Sequence, residues 1–196
     1  MNLQLSAGRV LLCFSLLSVP VGGVFAGDAH DADIAEARAL VKDYATRLKG
    51  ELKHALKEEG VVQAIETCHL KAPDITTEAS DKSGWNVRRT SLKVRNLEDA
   101  PDKWEAKVLD EFEKRKEAGE SPKTLEYSEV VEKEGKRYFR YMKAIPTREV
   151  CLKCHGRKLD PKVAKQLDSL YPFDQARGFK VGDLRGAFSL SKPLQK

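Results

Sequence analysis

The chain has 196 residues, with 35 Lys+Arg against 30 Asp+Glu for a formal net charge of +5, and 41% of its residues are hydrophobic. That length suits one ordinary domain and excludes a large multidomain enzyme, while the apolar share is enough for a packed core and excludes wholesale disorder. The basic surplus is small and Lys alternates with Glu along the chain, short of the concentrated patch that nucleic-acid binding needs.

Residues 1–26 read as a cleavable secretory signal peptide, with Arg9 ahead of the apolar run Val10 to Val19, a Pro-Gly stretch, and Val24-Phe25-Ala26 before Gly27. A run of about ten apolar residues is too short for a membrane span, which takes roughly 20, and no second run of spanning length follows. Cys13 sits too early in the run, with no small residue directly before it, to serve well as a lipid anchor. The expectation is a single periplasmic domain over residues 27–196, in a compartment that oxidises thiols, with no membrane span after cleavage.

Apolar residues at Ile34, Ala37, Val41, Tyr44, Leu48, Leu52 and Leu56 draw one stripe on a long first helix over Asp31 to Glu59. Gly60 breaks it, and a second, shorter helix runs from Val61 to Leu70, ended before Ala72-Pro73 because proline cannot continue a helix. Cys68 falls in its last turn. A loop rich in small and polar residues reaches to about Ala100, interrupted by Trp85 and the basic run Arg88 to Lys93. Pro101 starts a third helix carrying Trp104, Val108, Leu109 and Phe112, which ends near Gly119. Leu125 to Lys133 and Lys136 to Ile145, separated by Glu134-Gly135, form a β-hairpin. A short helix follows over Pro161 to Leu170, then one or two strands within Phe179 to Ser191. Helices first and an antiparallel sheet later make the fold class α+β.

Between the hairpin and that last helix stands Cys151-Leu-Lys-Cys154-His155, the spacing of a c-type haem attachment site. Its two thiols add across the haem vinyl groups as thioethers, and the adjacent histidine stands under the iron as the proximal ligand. One covalent haem c is therefore the expected cofactor. A thioredoxin-like pair belongs at the strand-to-helix turn of a βαβ unit, which does not surround this motif. The remaining alternatives are a zinc site built from Cys151, Cys154, His155 and Cys68, or a Cys151–Cys154 disulfide.

Candidates for the second axial position are Cys68, His54, His69, Met142 and His30. Met142 precedes the attachment site, unlike the ligand of small class I cytochromes c, and the hairpin before the motif does not suit a cytochrome c′ bundle. Two thioethers would leave Cys68 as the one unpaired thiol of the exported chain, and coordination to ferric iron is a reason for it to stay so. A small buried apolar role is the alternative. His69 is its helix neighbour and points about 100° away, so only one of the two can face the iron. His54 falls on the polar side of the first helix.

Taken together, Ala64 to Pro73, Arg89 to Asn96 leading to Ala100 through Glu105, Arg140 to Lys143, Cys151 to Gly156 and Gly178 to Gly186 resemble a known family. This is the family of periplasmic c-type haem domains with a PAS-like fold, once catalogued as a domain of unknown function and found alone or as sensor modules. The resemblance implies one haem iron held between His155 and the thiolate of Cys68, beside a small antiparallel sheet. Arg88 and Arg89 are candidates to pair the haem propionates, since guanidinium forks match carboxylates, with a solvated basic loop as the alternative. Trp85, Trp104, Tyr138, Phe139 and Tyr141 are core or pocket lining rather than redox relays. The pattern often has proline where Leu97 stands, a difference confined to a loop.

A thiolate stabilises ferric iron and lowers the reduction potential, which sets aside a high-potential shuttle. The expected role is redox or gas sensing through ligand change at Cys68, read by a separate periplasmic redox or signalling partner protein, since no output segment follows Lys196. The alternative is a low-potential electron-transfer protein. An enzyme would need an open distal position with an acid/base group, for which His69 is the candidate, and a six-coordinate resting iron would exclude it.

Overall fold

The computed structural model describes residues 26–195. The signal-peptide reading and Cys13 therefore lie outside the described residues, save Ala26, which opens the first helix. Helix α1 spans Ala26–Glu58 and α2 spans Gly60–Ser83, so the break expected at Gly60 is the corner between two antiparallel helices. The expected end of α2 before Pro73 is corrected, because the helix runs ten residues past that proline. Pro73 denies a hydrogen bond only to the His69 carbonyl, and the apolar positions Ala72, Ile75 and Ala79 continue the buried stripe beyond it. Tertiary burial outweighs the local breaker.

The expected loop after α2 is corrected as well. Residues Asn86–Thr90 form strand β1, paired antiparallel with the last strand from Asn86 opposite Ser191 to Thr90 opposite Ala187. Only Val87 and Thr90 are buried there, so the stretch lacks the alternation that marks a strand in sequence. Helix α3 spans Lys103–Glu117 behind a capping box between Asp102 and Glu105. Strands β2 (Glu126–Lys133) and β3 (Lys136–Pro146) make the expected hairpin. A one-turn helix α4 (Leu152–His155), α5 (Pro161–Leu170) and β4 (Leu184–Pro193) complete the chain.

The sheet is antiparallel with order β1-β4-β3-β2. Helices α1 and α2 cover one face, where Ala37, Val41, Tyr44, Ile75 and Ala79 meet Trp85, Val87, Phe139, Tyr141, Phe188 and Leu190. Helix α3 covers the other, setting Val108, Leu109 and Phe112 on Met142, Ala144, Leu184 and Ala187. A third cluster, Ile65 with Val163 and Leu167, fastens α2 to α5 and includes Cys154 at its margin. The pairing of β3 with β4 slips at Ile145 and Pro146, opposite Gly186. Gly186 has φ 152° and no room for a side chain, since a Cβ there would lie 2.3 Å from the Thr90 carbonyl oxygen. This irregular end of the sheet delivers Arg185 towards the Cys-x-x-Cys-His turn.

Candidate functional site

Pro146 ends β3, and the chain coils through a 3-10 turn at Glu149–Cys151 into α4. A three-residue separation on helical backbone puts Cys151 and Cys154 on one side of the turn. The Arg148 backbone N–H approaches Cys151 Sγ at 3.4 Å, and Cys154 packs on the α2–α5 cluster. Beyond the turn, the His155 and Gly156 carbonyls accept from the Phe179 and Gly178 backbone N–H groups at 3.0 and 3.1 Å. Gly156 is compressed against this turn, where a Cβ would meet the Leu152 carbonyl oxygen at 2.5 Å.

His155 Nδ1 lies 2.8 Å from the Ala176 carbonyl oxygen and 3.2 Å from Arg185 Nε. A carbonyl only accepts, so Nδ1 carries the hydrogen and the arginine contact is an approach of two N–H groups, not a second bond. The Nε2 lone pair is then free to bind a metal, with its partner nitrogen fixed by backbone in the way that orients metal-ligating histidines. Burial first, and then the charges of Arg185 and Arg95, hold the imidazole well below its usual range and keep it neutral. Phe179 packs edge-on against the ring, with centroids 6.1 Å apart.

The Ala176 carbonyl is itself held. Asp174, whose side chain is only 1% exposed, accepts from the Ala176 backbone N–H at 2.9 Å and pairs with both Arg95 and Arg177. Arg95 reaches onward to the Cys154 carbonyl at 2.6 Å, so one guanidinium ties the Cys-x-x-Cys-His turn to the loop that orients the histidine. Sequence reading missed Arg95, Asp174, Ala176, Phe179 and Arg185. The signal available was their position inside the two segments Arg89 to Asn96 and Gly178 to Gly186, or between them and the motif.

Cys68 shares the face of α2 that carries Ile65 and Ala72, three and four residues away, and that face meets α4 and α5. Burial pushes its thiol and that of Cys154 up, opposed for Cys68 by Arg89 and Arg95, and the two thiols lie within electrostatic reach of each other. Cys68, Cys151 and Cys154 are all free, so the Cys151–Cys154 disulfide is not formed. Among the described residues no three His, Cys, Asp or Glu side chains converge to hold a metal ion, so the four-ligand zinc arrangement is not formed either. The other axial candidates are dispersed. Met142 is wholly buried in the α3 core, His54 is exposed on α1, and His30 rests on Phe139. His69 packs edge-on against Tyr171 with centroids 5.1 Å apart.

Arg88 and Arg89 do not share a site. Successive residues of a strand face opposite ways, and Arg88 points to the α3 side, where it binds Glu105 at 3.2 Å and the carbonyls of Glu98 and Ala100. Of the two arginines expected beside a haem carboxylate, Arg88 is the one held in this ion pair. Arg89 faces the Cys68 side and has Asp99 at 4.0 Å.

A family model described as Tll0287-like: Tll0287 matches residues 28–193. The chain belongs to the Tll0287-like family. The match spans both helices of the α1–α2 pair, the whole sheet and the Cys-x-x-Cys-His turn of this Tll0287-like chain. Among solved structures it is similar to the crystal structure of the cyanobacterial heme-protein Tll0287, with TM-score 0.64, 22% identity, and coverage of 84% of this chain and 98% of that one. At that identity the likeness shows a shared fold. Among curated proteins none matches the chain.

Proposed function

We propose that this protein is an exported monohaem c-type protein of PAS-like fold. In this reading Cys151 and Cys154 would hold the haem covalently as thioethers, and His155 and Cys68 would hold its iron. The observation that carries the reading is His155: its Nδ1–H is committed to the Ala176 carbonyl at 2.8 Å, which leaves Nε2 available on a turn that also presents two free thiols. The donor set fits the group, with a neutral imidazole, two thiols at attachment spacing and a third thiol on the helix packed against them. The fold shared with a cyanobacterial heme-protein supports the same reading.

When bound, the haem would supply one-electron chemistry. The chain's own residues set its behaviour. Arg95 and Asp174 fix the loop that orients His155, and Tyr171 and Phe179 line the surroundings. Cys68 would hold the iron as the thiolate, its proton released to solvent, a charge state that favours ferric over ferrous iron, and the protonated thiol would hold it far more weakly. Redox state would thus be coupled to whether α2 is held to α4, which is the coupling a redox sensor needs for a partner to read. Low-potential electron transfer requires instead that Cys68 remain bound in both states.

The deciding experiment is absorption and paramagnetic resonance spectroscopy of the exported protein, ferric and dithionite-reduced, for wild type and Cys68→Ala. A low-spin thiolate signal present in wild type and lost in the variant is the expected result, with a reduced spectrum that shows release of the thiolate. A spectrum indifferent to the substitution would remove Cys68 as a ligand. Retention of the thiolate after reduction would favour the electron-transfer role.

A further inference from the structure

The cations around His155 are unequally matched by carboxylates, and the mismatch has a definite place. Arg95 meets both oxygens of Asp174 at 3.2 Å, and Arg177 meets Asp174 and Asp168. Arg88 has Glu105 on the far side of the sheet. Arg89 has Asp99 only at 4.0 Å, beyond hydrogen-bond reach, and Arg185 forms no ion pair among the described residues. Arg185 Nη1 donates to Ser91 Oγ at 3.1 Å and the Lys93 carbonyl at 3.3 Å. Its Nε faces an Nδ1 whose hydrogen is already directed at Ala176, and Phe179 lies against its guanidinium, 5.5 Å from the ring centroid. Arg89 and Arg185 stand on neighbouring strands and repel each other. Asp99 is the one carboxylate that faces both, yet it stands 4.0 Å from Arg89 and makes no ion pair with Arg185, so two partly buried guanidiniums share one loosely held anion and have room in charge for a second.

Resting on the haem reading above, we propose that Arg89 and Arg185 form a carboxylate seat that receives a propionate of the haem, and that Arg185, fixed against His155, sets the reduction potential. Ser91 and the Lys93 carbonyl aim the Arg185 fork, and the Gly186 slip of the sheet places it there. A fixed positive charge beside the imidazole disfavours the extra positive charge of ferric iron, so its presence raises the potential.

The test uses the haem-loaded protein and compares wild type with Arg185→Met, Arg185→Lys, Arg89→Met and Arg88→Met by spectroelectrochemistry at constant ionic strength. Covalent haem absorption and the resonance signature of the axial ligands are read on the same samples. Arg185→Met and Arg89→Met are expected to shift the ferric-to-ferrous ratio at a fixed ambient potential about tenfold towards ferric, with the axial signature unchanged. Arg185→Lys should restore most of the wild-type ratio, and Arg88→Met should match wild type. An unaltered ratio in Arg185→Met, or an equal shift in Arg88→Met, overturns the proposal. So does a wild-type potential that moves with added acetate, since the seat would then take dissolved carboxylate rather than a tethered one. Absence of covalent haem in wild type would overturn the haem reading itself, and is told apart by the absorption spectrum alone.

Discussion

At the scale of single residues, the candidate ligand His155 depends on groups that never touch a cofactor. Asp174 is the keystone, because its carboxylate bonds the Ala176 N–H at 2.9 Å while neutralising Arg95 and Arg177, and its side chain is 1% exposed. Burial alone would raise its pKa, but the bonds from Arg177, Arg95 and the Ala176 N–H together outweigh it, for a net depression. Asp174→Ala leaves Arg95 partly buried and unpaired and frees the loop that orients His155. The expected loss is about 3 kcal/mol of unfolding free energy in urea, the scale seen when one member of a buried pair is removed. A loss within a few tenths of a kilocalorie would mean that the Cys154 and Ala176 carbonyls satisfy Arg95 by themselves. Much of this site was legible in the sequence, since the Cys-x-x-Cys-His spacing singles out three of its residues and the odd thiol a fourth. The pair Arg88 and Arg89 was not, because adjacent arginines look alike in sequence and only the strand sends one to Glu105 and the other towards Cys68. Arg185 and Asp174 carry no spacing signal at all, since their roles come from loops meeting across the fold.

At the scale of elements, α2 shows where local rules fail. Pro73 reads as a terminator, yet the helix continues to Ser83 and is bonded across the next turn by the Thr76 hydroxyl donating to the Ala72 carbonyl at 2.9 Å. The continuation was written in Ala72, Ile75 and Ala79, whose spacing extends the stripe of Ile65 and Cys68, and it loses only to the stronger prior attached to proline. The prolyl ring removes the N–H that would satisfy the His69 carbonyl, one residue after Cys68. Pro73→Ala restores that bond at an exposed position, and is expected to raise stability by about 1–3 kcal/mol, less whatever the freer unfolded chain takes back. Thermal unfolding followed by circular dichroism reads this, and an unchanged or lowered midpoint would show that the helix is bent around Pro73 and packs best that way. The missed β1 has a different cause. Five residues, Asn-Val-Arg-Arg-Thr, carry little strand signal, and they are strand only because β4 offers them a paired edge.

At the scale of the whole molecule, the helical pair is held to the sheet by an apolar core and by charge at both flanks of α1. On one flank Lys192 of β4 meets Asp33 at 2.6 Å and Glu36 at 2.9 Å. On the other, Glu126 of β2 takes Arg38 of α1, Lys143 at 3.2 Å and the Tyr141 hydroxyl at 2.7 Å, joining three elements through one carboxylate. The bond from Arg38 is the largest influence on Glu126, and with those from Tyr141 and Lys143 it outweighs burial and brings the pKa from 4.5 down to about 2. A carboxylate depressed by folding contributes stability that is fully present above the unfolded value, and that is lost as pH falls from about 4.5 through about 2. The full shift would correspond to about 3 kcal/mol, but the carboxylate is 24% exposed and Arg38 58% exposed, so solvent screening reduces the expected share to about 1–2 kcal/mol. Glu126→Gln is therefore expected to be less stable than wild type by that amount at pH 7, and to converge with it as pH falls from 4.5 towards 2. Chemical denaturation at a series of pH values, on protein in one cofactor state throughout, supplies both curves. A deficit that persists undiminished at pH 2.5 would assign the role of Glu126 to packing and hydrogen-bond shape rather than to charge, leaving the α1 flank insensitive to acid.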